Sequence, residues 1–86
     1  MVNDLIINQF MEDLFATQLA VGNQDVTYRV YFEDERYVFQ PLPAGSLAPA
    51  FALVRELDTW KEEGPIPSTL KESATEALQT YLLQQH

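Results

Sequence analysis

At 86 residues, with no cysteine and a formal charge of −8, the chain has room for one core and no thiolate chemistry. Thirteen carboxylates against five Lys and Arg oppose contact with nucleic acid phosphates and anionic lipid. The hydrophobic fraction of 47%, with 12% aromatic residues, is that of a folding sequence, since disordered chains are poor in the residues that offset backbone ordering entropy. The expectation is a single compact α+β domain over residues 1–86.

The chain opens Met1-Val2-Asn3-Asp4-Leu5, and its first basic residue is Arg29. No basic n-region precedes an apolar run, and no run of about 18 apolar residues exists, so the expected location is cytoplasmic, away from the membrane. Between Asn3 and Ala20, Ile6, Phe10, Leu14 and Phe15, together with Leu5, Met11 and Leu19, recur at spacings of three, four and five. That pattern predicts an amphipathic helix from about Asp4 to Ala20, capped at Asn3 or Asp4 and stopped at Gly22-Asn23, with Ile6-Ile7 leaving its first turn open to an extended alternative.

Val26 to Phe32 and Tyr37 to Gln40 alternate β-branched or aromatic residues with polar ones across Glu33-Asp34-Glu35-Arg36. This predicts a hairpin in which Phe32 lies opposite Tyr37. One face then carries Tyr28, Val30, Phe32, Tyr37 and Phe39 toward the core. The other carries Thr27, Arg29, Tyr31, Val38 and Gln40. Pro41 to Ser46 and Pro49 predict a connecting loop, because proline lacks the N–H that a ladder or a helix needs.

Ala50 to Trp60 fits two patterns. Ala50, Leu53, Val54, Leu57 and Trp60 have helical spacing, whereas Phe51 to Leu57 also reads as a third strand that turns at Asp58-Thr59 and returns Trp60 to the core. The strand is preferred, since a lone hairpin needs a third strand or helical cover. Pro65-Ile66-Pro67 is then a rigid extended lead-in to a helix capped at Ser68 or Thr69, with Glu72 at capping-box spacing. Leu70, Ala74, Ala77, Leu78, Tyr81 and Leu82 form its apolar stripe. The expected architecture is αβββα, with αββαα as the alternative, and both helices packed on the aromatic face of the sheet.

Chemical signatures are sparse. The single histidine, His86, is the last residue shown, where a base needed for serine-type catalysis is poorly held. Clustered acids at Glu33-Asp34-Glu35 and Glu62-Glu63 sit in turn-like sequence with no calcium-loop spacing, so no metal is expected. Gly22, Gly45 and Gly64 are too scattered to cradle a phosphate, and no cofactor is expected. The reading is a noncatalytic module that binds protein, with homodimerisation as one version and no nucleic acid or membrane partner. Its candidate contact residues are Arg29, Tyr31 and Val38 on the outer hairpin face and Glu33, Asp34 and Glu35 at the tip. The alternative is an acidic inhibitor or immunity-type protein that occupies the basic site of a nucleic-acid-binding enzyme.

Overall fold

The computed structural model describes residues 12–42 and 47–85. Five antiparallel strands follow in chain order: β1 Glu12–Val21, β2 Gln24–Glu33, β3 Arg36–Leu42, β4 Phe51–Glu56 and β5 Thr59–Glu63. Among the described residues they pair only with their sequence neighbours, as a meander with β1 and β5 at its edges. One helix, α1 Ser68–Leu83, follows and packs on one face of the sheet.

This overturns the αβββα expectation. Residues 12–20 of the expected N-terminal helix are strand, and the rest of that helix lies outside the described residues. Along β1, Phe15, Thr17, Leu19 and Val21 alternate toward the helix-covered face, while Ala16, Gln18 and Ala20 point away. The spacing of Leu14, Phe15 and Leu19 imitates a helix because a bulge between Asp13 and Phe15 interrupts the alternation. Gly22-Asn23 does not stop a helix but turns β1 into β2, with Gly22 at φ 64, where only glycine is free of steric cost.

The β2–β3 register has Phe32 opposite Tyr37, Val30 opposite Phe39 and Tyr31 opposite Val38. Strand β3 runs on through Pro41, which faces Tyr28, so the expected loop begins later than its prolines imply. Proline is tolerated there because β3 pairs with β4 only over Tyr37, Val38 and Phe39, leaving its far end edge-like. Phe51 to Glu56 is strand rather than helix, and an unforeseen fifth strand follows. The β4–β5 turn is Leu57-Asp58, one residue earlier than expected.

The core lies between α1 and the covered face. Tyr28, Val30, Phe39, Leu53, Leu70 and Leu78 are essentially inaccessible. Phe39 stacks on Phe51 at 4.8 Å between ring centroids, and Tyr28 meets Phe51 edge-on at 5.6 Å. The Tyr28 hydroxyl donates to the Pro49 carbonyl at 2.8 Å, which satisfies the polar end of a buried ring. Burial raises the Tyr28 hydroxyl above the usual tyrosine range, so it remains a donor at neutral pH. At the β1 end of the helix, Phe15 stacks on Tyr81 at 4.4 Å.

Helix α1 buries Leu70, Ala74 and Leu78, four residues apart on one side. Pro67 is its N-cap, and neither Ser68 nor Thr69 closes the expected side-chain cap. The first turn is instead held by the Lys71 amide donating to the Pro67 carbonyl at 3.1 Å. No helix among the described residues is long and apolar enough to cross a membrane.

Candidate functional site

Helix α1 covers one face of the sheet, and the opposite face presents a different composition. Because strand side chains alternate, Asp13 on β1, Arg29 and Tyr31 on β2, Val38 on β3 and Ala52 on β4 share that second face. Asp13, Tyr31, Val38 and Ala52 form one row across four strands, continued by Glu63 on β5. Its middle is apolar or aromatic. Tyr31 and Val38 are half-buried, and Ala52 is buried at 6% exposure.

Charges bracket that middle. The Arg29 guanidinium donates through Nε at 2.9 Å and Nη2 at 2.6 Å to one carboxylate oxygen of Asp13. That carboxylate raises the arginine further above its usual range, making Arg29 a fixed cation. On the other side, Arg36 Nη1 donates to Glu63 at 2.8 Å, whereas Arg36 Nε is enclosed with no acceptor among the described residues. Both pairs are partly solvated, so they orient side chains more than they stabilise the fold.

The acidic tip has a separate geometry. Asp34 and Glu35 occupy the turn with φ 56 and φ 60, the two left-handed positions of a type I′ hairpin. Both are exposed, while Glu33 is half-buried opposite Arg36 on the outer face. Arg29, Tyr31, Val38 and Glu33 therefore share a surface, and Asp34 and Glu35 extend past its end.

Three of this surface's members escaped the sequence reading. The helical spacing around Asp13 hides its pairing with Arg29. Glu63 reads with Glu62 as a solvated turn, yet on β5 the two point to opposite faces. Glu62 meets Lys71 of α1 at 2.9 Å on the covered side, and that ammonium holds its carboxyl below the usual glutamate range. Ala52 carries no sequence signal beyond the alternation of β4.

Among the described residues, no three His, Cys, Asp or Glu side chains converge as metal ligands. The chain matches no protein-family model, no curated protein and no solved structure.

Proposed function

We propose that the chain is a noncatalytic protein-binding module whose contact surface is the sheet face opposite α1, centred on Tyr31 and Val38. The observation that carries this reading is the row of Tyr31, Val38 and Ala52 flanked by the Arg29–Asp13 and Arg36–Glu63 pairs. An apolar centre with an aromatic anchor and a charged rim is the anatomy of a protein contact. Self-association through the same face is one form of the proposal.

The second reading, an acidic inhibitor of a nucleic-acid-binding enzyme, draws support from Asp34 and Glu35, which are exposed at a hairpin end. Protruding carboxylates speed encounter with a basic cleft.

One experiment separates them. The chain is used for affinity capture from its native cell as wild type, as Tyr31→Ala, and as a tip variant neutralising Asp34 and Glu35. Loss of a captured partner with Tyr31→Ala but not with the tip variant supports the sheet-face reading. The opposite pattern, with association slowing about tenfold or more as salt rises to about 0.15 M, supports the inhibitor. A partner indifferent to both variants overturns both readings.

A further inference from the structure

The two edges of the sheet are built differently. Edge strand β5 is five residues long, and three of them, Lys61, Glu62 and Glu63, are charged, a composition that discourages another strand from pairing. Edge strand β1 runs for ten residues without proline or lysine, and its only charges, Glu12 and Asp13, lie at one end before the bulge. Among the described residues no strand pairs with its outer side, toward which alternate residues of β1 turn their amides and carbonyls.

Along that edge runs a groove of about 620 Å³, lined on the sheet side by six consecutive residues, Phe15 to Ala20, and on the other by α1. The volume is within the usual span of binding clefts. The larger groove, about 720 Å³, on the opposite flank of α1 has Trp60 as its single sheet residue, so it offers no strand to extend. Phe15, Leu19, Ala77 and Tyr81 give the β1 groove an apolar floor, and the described residues lining it include one carboxylate, Glu76, and no cation.

We propose that this groove is a strand-addition site for an extended segment of a partner protein, with apolar side chains at alternate positions and a lysine or arginine among them. The added strand takes its main-chain hydrogen bonds from β1, and every second side chain enters the space beneath α1. The charge of the lining selects the occupant. A second copy of β1 contains no Lys or Arg, and neither does any residue of this chain before Arg29, so neither supplies the cation that Glu76 calls for. In a second copy Phe15 is moreover already stacked on its own Tyr81. This site is distinct from the Tyr31 face.

The test uses the full chain and labelled synthetic peptides of sequence Thr-Val-Thr-Lys-Thr-Val-Thr, in which the two valines and the lysine share one face. Fluorescence anisotropy is expected to give saturable binding below about 1 mM, at least about tenfold weaker when the lysine is replaced by glutamate. Glu76→Gln, at an exposed position, should shrink that difference with the melting temperature unchanged. N-methylating the backbone of alternate residues distinguishes strand addition from loose apolar adhesion: one alternate set should abolish binding and the other should leave it within about twofold. No saturable binding, equal affinity of the two charge forms, or equal effects of the two N-methylated sets overturns the proposal. Slow amide exchange at both alternate sets of residues 16–20 in the free protein also overturns it. Coupled to a dimer mass in sedimentation, that result places a second copy on the edge; in a monomer, it places the chain's own segment there.

Discussion

The two faces of the sheet solve the same alternation in opposite ways. Beneath α1, Tyr28, Val30, Phe39, Phe51 and Leu53 lock together, with Phe39 and Phe51 nearly parallel at an interplanar angle of 7°. On the other side the corresponding rows hold Arg29, Tyr31, Val38, Gln40 and Ala52, and arginine–carboxylate pairs replace ring stacking. Burial on the first face supplies the fold's stability. On the second face the charges sit in partly solvated pairs, and Tyr31 and Val38 stay half-buried.

The sharpest way to break that contrast is to truncate its centre. Phe39→Ala is expected to destabilise by about 3–5 kcal/mol in denaturant unfolding, since the ring is fully enclosed. Phe32→Ala, on the same face but half-buried against Tyr37 at the hairpin's end, should cost less, about 1–2 kcal/mol. Equal losses would mean that the covered face extends to the tip. Glu35→Gly should instead stabilise by about 0.5–1 kcal/mol, because glycine relieves a left-handed residue at φ 60 more than it frees the unfolded chain. On the second face, Tyr31→Ala should change stability by about 1 kcal/mol or less. A loss as large as that of Phe39→Ala would show that the Tyr31 face is itself covered.

The smallest effect lies where the sheet meets the helix. Glu62 accepts from Lys71, which lowers its pKa, so this contribution is complete above the ordinary glutamate range. It is lost as pH falls through the depressed value. In Lys71→Met the Glu62 carboxyl should titrate by NMR at a higher pH than in wild type. An unchanged titration would mean that the contact does not form in solution.

What was legible in the sequence follows the same division. The β2–β3 register and the terminal helix were readable because their alternation and four-residue spacing are unbroken from Val26 to Phe32 and from Leu70 to Leu82. β1 was misread because one bulge shifts Leu14 out of step, and because Thr17 interrupts the apolar set on its covered face. The remaining clue was Gly22-Asn23, a hairpin dipeptide as much as a helix stop. β5 was missed because three charges in a row resemble a solvated turn, although pairing with β4 places them on alternate faces. The Tyr31–Val38 pair was visible from one hairpin alone, whereas Asp13, Ala52 and Glu63 become its neighbours only once β1, β4 and β5 are placed beside it.

Trp60 is the only tryptophan in the chain, and it stands on the outermost strand rather than at the sheet's centre. The residue is 8% exposed, and its ring meets Tyr37 edge-on at 5.6 Å and lies under the Arg55 guanidinium at 5.1 Å. The molecule thus carries an optical gauge at one defined margin. At that separation, excitation of Tyr37 is expected to transfer to the indole while the β4–β5 hairpin is seated, and tyrosine emission is expected to rise once it detaches. Compared with far-ultraviolet dichroism, dominated by the remaining strands and α1, this emission reports whether the outer hairpin peels away first or the whole sheet dissolves together.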